Sequence, residues 1–158
     1  MKRRVILGLA LLPLLTAHAQ EASAPVDADV VFVCQHGSAK SVIAAAHFNR
    51  LAAARGSKLR AVSRGMTPDA SLQEATRAGL QRDGLLPASY AAASLSEAQV
   101  KRTRRLVTIG LEGEPDYVRQ ATRLQWNDVP PVSKNYDAAR DAMVQKIEAL
   151  LAEMEPAR

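Results

Sequence analysis

The sequence predicts a single three-layer α/β domain, in which a four-stranded parallel sheet carries helices on both faces. Three observations lead to this prediction. The chain has 158 residues, about the length of one ordinary domain. Strand and helix patterns alternate along it, which is the arrangement that builds parallel sheets. The first strand pattern, residues 28–33, is almost entirely apolar and is typical of a strand buried on both faces.

Three further segments predict the remaining strands of this sheet. Residues 59–63 form a short apolar run that Gly65 closes, and residues 106–110 form a third strand pattern. Residues 121–125 carry the weakest of the four patterns. No internal repeat and no low-complexity tract separates these segments, so the sequence predicts one continuous domain.

Two helices are predicted in the first half of the domain. The Ala-rich run over residues 42–54 has apolar residues at helical spacing and ends near Gly56. The run over residues 72–82 stops at Gly84, a residue type that commonly follows the last turn of a helix.

Two more helices are predicted in the second half. Residues 94–101 form a short one, with Ser94 as its cap and Glu97 three residues later, which is the capping-box spacing. The longest covers residues 136–154. Its predicted buried face consists of Met143, Ile147, Leu150, Leu151 and Met154.

The N-terminal segment has the three parts of a secretory signal peptide. The basic residues Lys2, Arg3 and Arg4 precede an apolar run over residues 5–15, and the segment closes on the small-x-small pattern of residues 17–19. The apolar run is about half as long as a membrane-spanning helix. We therefore expect residues 1–19 to be a cleaved signal peptide. The alternatives are an uncleaved anchor and a buried helix.

Cleavage at this point defines the organisation of the remaining chain. Residues 20–28 are then a short tether, and residues 29–155 form the domain, exported to the periplasm without stable membrane insertion. Cys34 is the single cysteine of the sequence and would lie in an oxidising compartment. We expect a protein that keeps an unpaired thiol there to use it. The alternative is that Cys34 is a small buried apolar residue.

Composition excludes several classes of function. The net charge of +5 falls to +2 without residues 1–19, because they hold three basic residues and no acidic one. Aromatic residues make up 4% of the chain, too few for the stacking surfaces of nucleic-acid binders. One cysteine and three scattered histidines supply neither a disulfide nor a structural metal site. We therefore expect no nucleic-acid partner and no structural metal, and the phosphatase chemistry considered below needs no metal or organic cofactor.

The loop after the first strand carries the residues for anion chemistry. Ligands of parallel α/β sheets bind beyond the carboxyl ends of the strands, where residues 34–41 lie. The small residues of this loop allow successive backbone N–H groups to turn inward at a helix N-terminus, as an anion-binding nest. Such a nest and the ammonium of Lys40 would favour the thiolate of Cys34, and Ser41 could add a hydrogen bond to the sulfur.

At these residues the sequence resembles the low-molecular-weight protein-tyrosine-phosphatase family, whose fold the related arsenate reductases share. The family signature is Cys, five residues, Arg, then Ser or Thr. The resemblance covers most of the chain after the signal peptide, and is carried by the segments 30–41, 44–46, 48–50, 61–65, 105–109 and 126–130 together with the final helix.

The resemblance implies a role for each residue of the loop. Cys34 matches the nucleophile that forms a phosphocysteine, and Ser41 matches the hydroxyl that stabilises its thiolate. Gly37 stands where the family often has a left-handed Asn, a conformation that Gly adopts without a Cβ penalty. The substrate-binding residues implied by the match are Gln35, His36, Gly37, Ser38, Ala39 and Ser41.

Two positions depart from the family pattern. Lys40 stands where the family has Arg, and an ammonium is a point charge where a guanidinium grips two oxygens. The family places its general acid, an Asp, just before a Pro, but Val129 precedes Pro130 here. Asp128 is the nearby carboxylate and is our candidate acid. The alternative is a loop or capping residue.

The resemblance implies a phosphatase acting on a phosphorylated protein or a small phosphomonoester, with Cys34, Lys40 and Asp128 as catalytic residues. Two alternatives stay open. One is an arsenate reductase-like enzyme that needs an external thiol, because the chain has one cysteine. The other is a non-enzymatic protein that binds an oxyanion. We also consider whether Arg64 faces the pocket, and we expect His47 to be structural.

Overall fold

A computed structural model describes residues 28–155 of the chain. The predicted signal peptide and most of the predicted tether lie outside the described residues. Four strands form one parallel sheet in the order β2-β1-β3-β4. Their bounds are β1 Val30–Cys34, β2 Ala61–Gly65, β3 Arg105–Thr108 and β4 Arg123–Gln125. The predicted four-stranded parallel sheet is therefore confirmed.

Five helices connect and flank the strands of the described chain. They are α1 Lys40–Ala54, α2 Glu74–Arg82, α3 Glu97–Arg102, α4 Asp116–Arg119 and α5 Tyr136–Met154. The sequence predicts α5 with the same bounds. It does not predict α4, because a helix of four residues is too short to show a helical period.

Two hydrophobic clusters, one on each face of the sheet, confirm the three-layer arrangement. Phe32 and Val107 point to the face covered by α1, α2 and α5. Val31, Val33 and Leu106 point to the other face, where they pack with Leu95 and Val118. All five residues of β1 are buried, as the continuous apolar pattern predicts for a central strand.

The start of α3 corrects one prediction. The cap is Ser96, whose hydroxyl accepts a hydrogen bond from the Gln99 amide, and not Ser94. Ser94 instead pairs with Gly65 in an isolated bridge beside β2. The segment before α3 is thus extended and adds to the sheet edge, so the helix begins after it.

The predicted buried face of α5 is confirmed for four of its five members, and Met154 is half-buried at the end of the helix. Between residues 28 and 155, no helix has the length and apolar character that a membrane crossing requires.

Candidate active site

The loop between β1 and α1 is held from its outer side. The carbonyl groups of residues 35–38 all accept hydrogen bonds from the segment after β2 or from Tyr90. The pairs are Gln35 with the Met66 and Thr67 amides at 3.0 and 2.9 Å, His36 with the Asp69 amide at 2.9 Å, Gly37 with the Tyr90 hydroxyl at 3.2 Å, and Ser38 with the Gln73 amide at 3.3 Å.

Because these carbonyl groups point away from the cleft, the backbone N–H groups of the loop point towards it. In a planar trans peptide the C=O and the following N–H point in opposite directions. The N–H groups of residues 36–39 therefore point inward, and none of them donates to a backbone carbonyl in the described chain. Together with the first amides of α1 they form the predicted anion-binding nest.

Gly37 has the left-handed conformation that the resemblance implies, with φ of 61°. A second constraint was not predicted. A Cβ on Gly37 would lie 2.9 Å from the Gly65 nitrogen, and a Cβ on Gly65 would lie 2.8 Å from the Gly37 nitrogen. The two backbones touch, so the nest depends on a pair of glycines from β2 and the loop.

Cys34 ends β1 at the floor of this nest. Its side chain is buried, and the thiol donates to the Ser41 hydroxyl at 3.2 Å. When the sulfur is a thiolate the same pair can reverse, with Ser41 donating. The structure thus brings Cys34 and Ser41 together as predicted.

A cleft of about 230 Å³ opens above Cys34. Its walls come from the loop after β1, from Gln73 just before α2, from the residues that follow β3 and from the segment after β4. The lining residues are Cys34, Gln35, His36, Ala39, Lys40, Gln73, Ile109, Gly110, Pro131, Val132 and Ser133.

Lys40 lies at the rim of the cleft and already has a partner. Its ammonium donates to the Val129 carbonyl at 3.0 Å, and it sits 3.1 Å from where a Cβ on Gly110 would be. The charge is therefore close to the cleft, but it also joins the first turn of α1 to the segment after β4.

Asp128 is the predicted catalytic residue that the structure does not bring to the cleft. Its side chain is 71% exposed and accepts a hydrogen bond from Lys146 of α5 at 2.9 Å. That hydrogen bond holds the pKa of the carboxyl below its usual value. A general acid must come within hydrogen-bond reach of the leaving group. The structure thus places Asp128 outside the cleft, in a turn beside Lys146 of α5, and its role as the general acid stays a prediction.

Two other loop residues contribute backbone rather than side chain. Ser38 is fully buried, and its hydroxyl donates to an Asp69 carboxylate oxygen at 2.6 Å, outside the cleft. Gly37 faces Gly65. By contrast, Gln35, His36 and Ala39 line the cleft directly, and their part in substrate binding stays a prediction.

Arg64 does not face the cleft. Its Nε donates to Gln99 of α3 at 2.8 Å, and burial lowers the pKa of the guanidinium. Ser63 lies beside it on β2, and its carbonyl accepts a further bond from Arg64. The side chain therefore ties β2 to α3 instead of reaching an anion.

Sequence reasoning missed the segment after β2, residues 66–73, and Tyr90. These residues hold the loop carbonyls and place Asp69 beside His36 and Ser38. The carboxyl ends of neighbouring parallel strands meet at one edge of a sheet, so the polar residues after β2 could have been suspected as neighbours of the loop. Within residues 28–155, no cluster of His, Cys, Asp and Glu could hold a metal ion.

The fold is shared with known enzymes, although no protein-family model and no curated protein matches the sequence. YfkJ from Bacillus subtilis superposes with a TM-score of 0.69 at 22% identity, over 80% of this chain and 94% of that one. The low molecular weight protein tyrosine phosphatase from T. tengcongensis gives a TM-score of 0.67 at 19% identity, over 78% and 97%.

Arsenate reductases have the same architecture. The enzyme from Archaeoglobus fulgidus superposes with a TM-score of 0.63 at 24% identity, over 78% of this chain and 98% of that one. The fold of the chain is thus the one that low molecular weight protein tyrosine phosphatases and arsenate reductases share, as the sequence predicts. Because all three proteins are less than 25% identical to this chain, the similarity establishes the fold alone.

Proposed function

We propose that the protein is an exported, cysteine-dependent phosphomonoesterase that works through a phosphocysteine intermediate. The observation that carries the proposal is the position of Cys34, at the floor of a loop whose inward amides surround the opening of the cleft. A tetrahedral oxyanion in that nest would have its phosphorus in line with the sulfur.

The first step would be attack of the Cys34 thiolate on phosphorus with release of the leaving oxygen. Inward amides suit the equatorial oxygens, because preorganised donors stabilise the charge of a phosphoryl group in transit. Ser41 supports the thiolate through its hydrogen bond. Water would then attack phosphorus, free the thiolate and release inorganic phosphate.

A purely oxyanion-binding protein is the second candidate. It is favoured by the bond from Lys40 to the Val129 carbonyl and by the outward position of Asp128. An arsenate reductase remains the third, and its adduct on Cys34 would need a thiol from outside because the chain has one cysteine.

The experiment is a phosphomonoester assay on protein lacking residues 1–19, with Cys34→Ser as the control. Turnover by the wild type that is lost in the variant supports the phosphatase. Stabilisation by inorganic phosphate without turnover supports the binding protein. Thiol-dependent reduction of arsenate without ester hydrolysis supports the reductase.

Export is a separate part of the proposal, supported by the pattern of residues 1–19. N-terminal sequencing of protein recovered from the periplasm of a bacterial expression host tests it. A new N-terminus after Ala19 supports cleavage, and an intact Met1 in the cytoplasm contradicts it.

A further inference from the structure

The cleft needs a proton donor for the leaving oxygen, and its lining offers few. Of the lining residues, three carry groups that gain or lose a charge, namely Cys34, His36 and Lys40. Cys34 is the nucleophile of the proposed function, and the Lys40 ammonium is bound to the Val129 carbonyl. His36 is the group whose ordinary chemistry is proton transfer near neutral pH.

His36 is held in a fixed relation to Asp69. Its ring Nδ1 lies 3.4 Å from an Asp69 carboxylate oxygen, and its carbonyl accepts the Asp69 amide at 2.9 Å. The side chain is 54% exposed and lines the cleft, so a substrate in the cleft can reach it. A carboxylate at Nδ1 favours the tautomer with its proton there, and leaves Nε2 for a substrate.

Asp69 is itself fixed by its surroundings. Its second carboxylate oxygen accepts from Ser38 at 2.6 Å, and its carbonyl accepts from the Tyr90 hydroxyl at 3.1 Å. The carboxylate is therefore an orienting group built into the fold, in the manner of an Asp that orients a catalytic His.

We propose that His36 is the general acid and base of the reaction, with Asp69 as its positioning residue. This inference rests on the proposed phosphatase function. As the thiolate of Cys34 forms the S–P bond, the P–O bond breaks and the leaving oxygen takes the proton from Nε2 of the imidazolium. Neutral Nε2 then takes a proton from water as its oxygen bonds to phosphorus, the P–S bond breaks, and the thiolate is restored.

Charged groups lie on more than one side of His36, with Asp69 beside its Nδ1 and with Cys34 and Lys40 in the lining of the same cleft. Burial, together with the charges of Asp69 and Cys34, raises the pKa of Tyr90, which therefore stays a neutral donor.

The test compares two substrates, phenyl phosphate and p-nitrophenyl phosphate, in the wild type and in His36→Gln. Phenolate is a poor leaving group and needs the proton, whereas p-nitrophenolate departs with less help. General acid catalysis is worth about 10²–10⁴-fold. We expect kcat/KM to fall at least about 100-fold on phenyl phosphate and about 10-fold or less on p-nitrophenyl phosphate.

Asp128→Asn serves as the rival variant, because its carboxylate lies near the family's acid position in the sequence but outside the cleft. It is expected to leave the ratio of the two substrates unchanged. Asp69→Asn is expected to lower kcat/KM more on phenyl phosphate than on p-nitrophenyl phosphate while His36 remains, because the ring loses the carboxylate that orients it. Protection of Cys34 from iodoacetamide by inorganic phosphate shows that His36→Gln keeps an intact nest.

Three outcomes overturn the assignment. Equal losses on both substrates in His36→Gln show that the ring has no part in protonation. A selective loss in Asp128→Asn returns the acid to that residue. A wild type without Cys34-dependent turnover removes the proposed function and this inference together, which distinguishes it from the first two results.

Discussion

At the scale of the residue, the site depends on the contact between Gly37 and Gly65. The loop backbone must approach β2 closely, because the segment after β2 then donates the hydrogen bonds that hold the loop carbonyls and so form the nest. Gly37 has a positive φ of 61°, but no positive φ is recorded for Gly65, so Gly65 is required by the close approach alone.

We predict that Gly65→Ala destabilises the protein by about 1–3 kcal/mol, the cost of forcing an extra methyl group into a packed contact. Phosphate should also lose its ability to protect Cys34 from alkylation, because the loop must move away from β2. Urea unfolding and iodoacetamide labelling measure the two effects.

Gly113→Ala is the matched control, since Gly113 has φ of 70° and no atom within 4 Å of an added Cβ. This variant should lower the free energy of unfolding by about 1–2 kcal/mol, because alanine disfavours the left-handed conformation, and should leave the phosphate protection of Cys34 unchanged. Unchanged phosphate protection in Gly65→Ala would show that the close approach does not build the nest.

Lys40 is the second residue whose geometry leads to a prediction. We expect Lys40→Arg to keep the fold and raise kcat/KM for an aryl phosphate, by about tenfold. One guanidinium nitrogen can keep the Val129 carbonyl while the others reach the oxyanion as a fork, and a charge-assisted hydrogen bond is worth about that factor. Steady-state kinetics measure it.

A fall in kcat/KM would mean that the position between Gly110 and Val129 fits an ammonium only. The single tryptophan of the chain, Trp126, is buried and lies three residues before Val129. Its fluorescence therefore reports whether the segment after β4 has moved. Unchanged Trp126 fluorescence in Lys40→Arg separates an effect on the anion from a displaced segment.

At the scale of the element, a buried polar cluster joins α1, α2 and α5. His47 is 1% exposed; its Nε2 lies 3.2 Å from Asp83, and its Nδ1 lies 3.2 Å from an Arg50 nitrogen. Tyr136 donates to Asp83 at 2.7 Å, and Arg140 pairs with the same carboxylate at 3.2 Å. The expected structural role of His47 agrees with this geometry.

The cluster predicts how stability depends on pH. Burial, then Arg50, holds the pKa of His47 below 6.5, despite the opposing effect of Asp83. The unfolded chain therefore binds a proton near pH 6.5 that the folded chain does not, so the free energy of unfolding falls as pH drops below about 6.5. Urea midpoints between pH 8 and 5 measure the fall.

His47→Gln removes the titrating group while keeping an amide that can bond to Asp83. The slope of the free energy of unfolding against pH in this window should become shallower in the variant. The lowered pKa of Asp83 acts at more acidic pH, outside the window. An identical slope in both proteins would assign the acid sensitivity to other groups.

At the scale of the whole molecule, the fold could largely be predicted from the sequence, because β1 is a continuous apolar run and α5 is a long helix with a clear helical period. The boundaries of short elements are predicted less well. Residues 94–95 extend beside β2, so α3 begins later than the capping pattern at Ser94 predicts. A pattern within one segment carries no information about pairing with a distant strand.

The part of the site whose residues are close in the sequence could be predicted, whereas contacts between residues far apart in the sequence could not. Cys34, Lys40 and Ser41 lie within eight consecutive residues, at the end of β1 and the start of α1, so their order alone predicts their proximity. Asp69 meets His36 only because β1 and β2 are neighbours in the sheet. Asp128 shows that neighbours in the sequence can lie in different surroundings: the carbonyl of Val129 accepts from Lys40 at the cleft, whereas the adjacent Asp128 carboxylate pairs with Lys146 outside it.

The central claim is that Cys34 takes a phosphoryl group, and mass spectrometry of protein quenched in acid during turnover of p-nitrophenyl phosphate tests it most directly. Cys34→Ala is the control, because it removes every nucleophile at this position. We predict one phosphoryl group on the peptide that contains Cys34 in the wild type, and none on that peptide in the variant. Turnover with no phosphorylated Cys34, or equal phosphorylation in the variant, would contradict the account.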